Sequence, residues 1–267
     1  QGVFHFSLRP RPDFVTYIPE RDEEVVLCPR LARHIRENLN YIFVRNNGRQ
    51  GVLRYVYEDG CYRYYSDDML QGQIKQYIAD YDEDLIQMSK VHEVFRQLTT
   101  DLNFVPQSAV NADEGIINFQ NGILRLSDMA LLPHSPDILS TIQIPCAWTG
   151  HETPTPVFDA YLHTLTDGDP AVAQLLLEFG GACISNVHGY RMKKALFLVG
   201  DGDTGKSQLK SLVEMLIGED NFISIDLSEL EARFGTSNIY GKRLAGSSDM
   251  SFMTVGELKT FKQCTGG

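Results

Sequence analysis

The run Ala195-Leu196-Phe197-Leu198-Val199 leads directly into Gly200-Asp201-Gly202-Asp203-Thr204-Gly205-Lys206-Ser207. An amphipathic stretch, Gln208–Ile217, follows at once and Gly218 ends it. This order constrains the chain more than any other feature. A short apolar run fits a buried parallel strand. The glycines let backbone N–H groups turn inward around a phosphate, and the N-terminus of the next helix adds partial positive charge. Leu209, Leu212, Val213 and Leu216 share one face of that helix and mark it as packed against a sheet. The GxxxxGK[ST] pattern arises by chance in roughly one chain of this length in a hundred, and the flanking strand and helix lower that further. In this reading Gly200, Gly202, Asp203, Thr204, Gly205, Lys206, Ser207 and Gln208 cradle phosphate. Lys206 reaches the terminal phosphates as a point charge, and the Ser207 hydroxyl holds Mg²⁺.

A P-loop enzyme also needs an acid on a neighbouring strand for the metal's water shell. Asp226 ends the apolar run Ile223-Ser224-Ile225, but it also stands where a helix N-cap belongs, before Leu227-Ser228-Glu229-Leu230. Asp249 follows Lys242–Ser248, a less apolar stretch far enough on for a crossover helix to lie between; a plain turn residue is the competing reading there. The chemistry leaves both open.

Upstream, the pattern is mixed. Pro29–Arg36 reads as a helix with Pro near its start. Tyr41–Val44 reads as a strand before the turn Asn46-Asn47-Gly48. Leu53–Tyr57 and Cys61–Tyr65 flank Glu58-Asp59-Gly60 as a hairpin. Ile74, Tyr77 and Ile78 line one helix; Val91, Val94, Phe95 and Leu98 line another. Gly115–Phe119 and Ile123–Leu126 form a second hairpin around Asn121-Gly122. The Thr/Pro-rich stretch 150–156 marks a boundary, and Phe158–Leu165 with Ala171–Phe179 read as paired helices. The expected organisation is an N-terminal α+β domain over 1–150, a helical collar over 151–190 and a partial α/β P-loop domain with parallel strands over 191–267.

The formal net charge of −11 excludes a protein that coats nucleic acid by bulk attraction, though not one that grips it with a few basic loops. No stretch approaches the ~18 apolar residues of a membrane span. The five cysteines form no CxxC pair, which points to a reducing compartment and against structural zinc. Gln1 at the start and Thr265-Gly266-Gly267 at the end read as cut ends, so a fragment is expected. Tyr55, Tyr57, Tyr62, Tyr64 and Tyr65 with Arg54 and Arg63 could stack single-stranded bases; an ordinary tyrosine-rich strand face is the simpler account. The Pro133-His134-Ser135-Pro136 segment reads as a turn, and the acids at 80–84 as a solvated loop.

Several segments together resemble a known family. GDGDTGKSQLKSLVEMLIGEDNF, SELEARFG, GKRLAGSSDM and ELKTFKQCTGG are similar to superfamily 3 helicases, in particular the C-terminal helicase region of phage and plasmid primases and the poxvirus primase-helicase. VYEDGCYRYY, INFQNGILRLSD, LLPHSPD and FDAYLHTLTDGD precede them in that family's order, so the likeness covers about residues 40–267. The resemblance implies an AAA+-like core that binds ATP and Mg²⁺, a homo-hexameric ring on single-stranded or forked DNA, and a replication-initiator or primase partner in the cytoplasm of a bacterial host. It implies phosphate and metal binding by the loop residues already named, and it assigns Asp249 the Walker B role with Lys206 as its catalytic companion. Lys262–Gly267 begin the segment that leads to a DNA-contacting loop. Thr204 stands where the family usually has Asn, the stretch before Asp249 is rich in Gly and Ser, and Met250 offers no second acid. With the sensor and arginine finger not included, the fragment is expected to bind nucleotide without unwinding. A module that binds DNA or protein without chemistry, and a small-molecule kinase, are the other readings.

Overall fold

The computed structural model describes residues 10–45, 52–100, 104–187, 189–233, 235–247 and 258–266. Asp249, Asn46-Asn47-Gly48, Arg9 and Met250 lie outside them. The chain divides into two compact units, one of residues 1–58 and 62–110, the other of 59–61 and 111–267.

In the first unit β1 (Val15–Ile18) and β2 (Glu23–Val26) pair as an antiparallel hairpin. After α1 (Cys28–Asn38) come β3 (Tyr41–Arg45), β4 (Val52–Glu58), β5 (Cys61–Tyr64), α2 (Asp67–Ala79), α3 (Met88–Thr99) and β6 (Phe104–Pro106). Strand order in the sheet is β5-β4-β3-β6, with β6 parallel to β3. Asp59 and Gly60, both at positive φ, make the β4–β5 turn, the geometry that two-residue hairpins favour. Pro29 starts α1, where its missing N–H costs nothing. Ser66 caps α2 by accepting from the Met69 N–H. Leu31, Ile35, Ile74, Ile78, Val91, Val94 and Leu98 bury the helix faces against Phe43 and Val56 of the sheet. Each such aliphatic side chain contributes about 1.5–3 kcal/mol relative to exposure. Periodicity located these helices and strands; β1, β2 and β6 carried too weak a signal.

In the second unit β7 (Ile116–Phe119), β8 (Gly122–Arg125) and β9 (Ala130–Leu132) form an antiparallel sheet. Phe119 pairs with Gly122, so the tight turn is Gln120-Asn121, one residue earlier than the Asn-Gly signal suggested. Then follow α4 (Pro156–Leu165), α5 (Pro170–Ile184), α6 (Gly189–Met192), α7 (Lys206–Ile217), β10 (Phe222–Ser224), α8 (Leu227–Glu231), α9 (Gly235–Asn238), β11 (Leu244–Gly246) and α10 (Lys259–Cys264). The compact units part after Val110 and not at the Thr/Pro-rich stretch 150–156. The reason is packing: Ile117, Phe119, Leu124 and Ile144 share one core with Val213 and Ile217 of α7 and Cys183 of α5. Composition marked an exposed connection, not the edge of a core.

Two devices hold this unit's helices. Asp169 accepts from the Ala171 and Val172 N–H groups at the start of α5. At its other end the Arg243 guanidinium donates to the carbonyls of Ala182, Cys183, Ser185 and Val187, satisfying groups that a helix C-terminus leaves orphaned. Burial lowers the Arg243 pKa, yet arginine stays charged. Burial also pushes the Cys183 thiol up to about 11, which makes it inert.

Candidate functional site

The glycine loop and its flanks are placed as follows. Helix α7 forms as expected, buried through Leu209, Val213 and Ile217, while Leu216 is exposed. Gly218, at positive φ, ends it. The run Ala195–Val199, however, makes no strand pairing among the described residues. Leu196 and Leu198 pack on the core of α4, α5 and α7, but Phe197 is 50% exposed and Val199 93%. The expectation of a buried parallel strand there is corrected: Leu196 and Leu198 are covered, while the other side is largely open, with Phe197 edge-on to the Phe261 ring at 6.0 Å between centroids. The parallel pair that does form is β10 with β11, Phe222 opposite Leu244.

Within the loop, Asp203 takes φ +58° and Gly205 φ +91°. Gly205 is the N-cap of α7, and its carbonyl accepts the helix's first bond, from the Leu209 N–H at 3.2 Å. The same carbonyl accepts a second hydrogen bond, at 3.0 Å, from the Tyr161 hydroxyl of α4. The Lys206 ammonium coils back over the loop. It donates to the Gly200 carbonyl (3.0 Å), the Asp201 carbonyl and the Thr204 hydroxyl (2.9 Å). Thr204 in turn donates to the Asp201 carbonyl at 3.0 Å. Asp201, Gly202, Asp203, Thr204, Ser207 and Gln208 are exposed at the mouth of the loop. The loop thus brings a half-buried cation and the exposed Thr204 and Ser207 to the start of a 12-residue helix, whose N-terminus favours an anion.

The Asp226 carboxylate is taken up in capping a helix. Its side chain accepts from the Ser228 N–H while Glu229 accepts from the Asp226 N–H, a complete capping box on α8. Glu231 at the end of α8 accepts from the Thr260 and Phe261 N–H groups and so caps α10. Desolvation raises the Glu231 pKa, but those backbone donors outweigh it and leave the carboxyl below its usual value. Asp249 lies beyond the described residues. Among those described, no group of three or more His, Cys, Asp or Glu side chains is placed to hold a metal.

Two upstream features resolve. His134 Nε2 lies 2.9 Å from the Phe119 carbonyl and 3.2 Å from Asn118 Oδ1, both acceptors, so that nitrogen carries the proton. Asn118 passes the link on to the Gly60 carbonyl and the Ser140 hydroxyl. His134 is a structural pin. The tyrosine hairpin is not an open stacking face: Tyr62 and Tyr65 are buried and Tyr64 alone of the five is more than half exposed. Arg54 is engaged with Asp67 and lies over the Phe95 ring.

Sequence reasoning found the loop but missed Tyr161 and Arg243, because each acts across 44 to 61 residues and neither belongs to a local pattern.

A family model described as D5 N terminal like matches residues 22–167, more than half of the chain. The chain belongs to the D5 N terminal like family. That family forms the N-terminal part of phage and viral primase-helicase proteins. The D5 N terminal like segment runs on past residue 150 through α4, so Tyr161 lies inside it and the glycine loop outside. No curated protein matches the chain. No described helix is long and apolar enough to cross a membrane.

Proposed function

We propose that this chain supplies the nucleotide-binding part of an ATP-driven DNA helicase, or of the helicase half of a primase-helicase, in replication of a phage or related element. The observation that carries the reading is the loop opening α7, with Gly205 in a left-handed conformation and Lys206 folded over it. A Mg²⁺-ATP complex would draw the Lys206 ammonium from neutral oxygen acceptors to charged phosphate oxygens, which bind a cation more strongly. Backbone N–H groups from Asp203 to Gln208 would turn to the β- and γ-phosphates, and Ser207 would enter the metal shell. Asp249 remains the proposed Walker B acid. In support, the end of β11, three residues before it, lies beside α7: a Cβ on Gly246 would sit 3.4 Å from Lys210 Cε. The exposed Leu175, Leu177, Phe197 and Val199 are surface that neighbouring subunits of a ring would cover.

A fluorescent ATP analogue titrated with Mg²⁺ tests this. Saturable binding lost in Lys206→Ala supports it, and equal binding by both chains sinks it. One observation favours a second reading, a DNA- or protein-binding module without chemistry: the run leading into the loop makes no strand pairing among the described residues and leaves Val199 open.

A further inference from the structure

We infer that Tyr161 is a positioning residue for phosphate binding, through which α4 sets the shape of the glycine loop. This rests on the nucleotide reading above and adds to it a residue outside the loop motif.

The turn into α7 depends on Gly205, whose φ of +91° is strained for any L side chain. In that conformation its carbonyl is turned to α4 and to the first turn of α7. Two donors fix that carbonyl: the Leu209 N–H, which belongs to the helix, and the Tyr161 hydroxyl, which does not. Tyr161 also fills the space behind the glycine. A Cβ built on Gly205 would meet Tyr161 Cε2 at 3.3 Å and Leu165 Cδ1 at 3.8 Å. The ring is held in turn by a core of Leu162, Leu176 and Leu209, with Leu196 and Leu198 from the run before the loop. Both flanks of the loop are therefore seated on the surface that presents Tyr161. Burial raises the phenol's pKa and keeps it a donor. Since Ala195–Val199 has no strand partner among the described residues, this brace carries a role that a sheet would otherwise share.

The test measures affinity for a fluorescent ATP analogue with Mg²⁺ in the parent chain, Tyr161→Phe, Tyr161→Ala and Ile123→Ala, with a thermal melt of each. Tyr161→Phe keeps the ring and removes only the hydrogen bond, so it should bind about three- to tenfold more weakly while melting close to the parent. Tyr161→Ala should bind more weakly still. Ile123→Ala shortens a buried side chain of β8 outside the core that holds Tyr161; it should lower the melting point and leave affinity within about twofold. A merely structural tyrosine would make Tyr161→Phe indistinguishable from the parent in affinity, or would make affinity follow the melting point in Ile123→Ala; either overturns the inference. No binding by the parent chain overturns the nucleotide reading itself, and this inference with it.

Discussion

The Lys206 ammonium lies 2.9 Å from the Thr204 hydroxyl, inside the loop that should present it to a ligand. Together with the Gly200 and Asp201 carbonyls, that hydroxyl gives the cation a full set of acceptors. The loop is thus closed on itself by its own lysine. The proposed phosphate ligand offers more negative charge than these neutral oxygens do, as it must to draw the lysine away from them.

Gly205 should tolerate no side chain. Gly205→Ala places a Cβ at φ +91° and 3.3 Å from the Tyr161 ring. The expected loss is about 1–2 kcal/mol of stability, with nucleotide affinity falling more than tenfold as the loop re-forms around another geometry. Denaturant unfolding and analogue titration of the same variant check both.

Asp226 separates capping from metal binding. Asn caps a helix as well as Asp does, so Asp226→Asn should retain stability, and Asp226→Ala should lose about 0.5–2 kcal/mol. Neither should change the Mg²⁺ dependence of nucleotide binding. A Mg²⁺ requirement shifted by Asp226→Asn would return this residue to the metal site.

In the first unit, the Tyr65 phenol is pushed up to about 12, first by burial and then by its hydrogen bond to Glu58. The protonated form is favoured in the folded state, against an ordinary value of 10 when unfolded. The folded state therefore binds the extra proton between those values. Its stabilising contribution is complete below about pH 10 and is lost as pH rises toward about 12. Melting points measured across that range should fall more steeply for the parent than for Tyr65→Phe, and parallel slopes would contradict the assignment.

How much of this was legible depended on whether the signal was local. Val91, Val94 and Leu98 announced α3 by spacing alone, and Asp226 announced a helix N-cap, which Glu229 completes as a capping box. The glycine loop was readable because turn chemistry and helix start sit within eight residues. The run Ala195–Val199 misled, since apolar content states that a segment should be covered but not what covers it. The division of the chain after Val110 was hidden for the same reason: the core joining Ile117 to Ile217 is assembled across 100 residues. Tyr161 behind Gly205 and Arg243 across the end of α5 are tertiary contacts with no periodicity to betray them.

Whether Lys206 and its loop bind a nucleotide's phosphates is decided by a titration of this chain and Lys206→Ala with a fluorescent ATP analogue and Mg²⁺. Saturable binding is expected of the parent, with at least about tenfold weaker binding by Lys206→Ala, the cost of removing a charged partner from phosphate. Equal affinity in the two chains, or none in either, would contradict it.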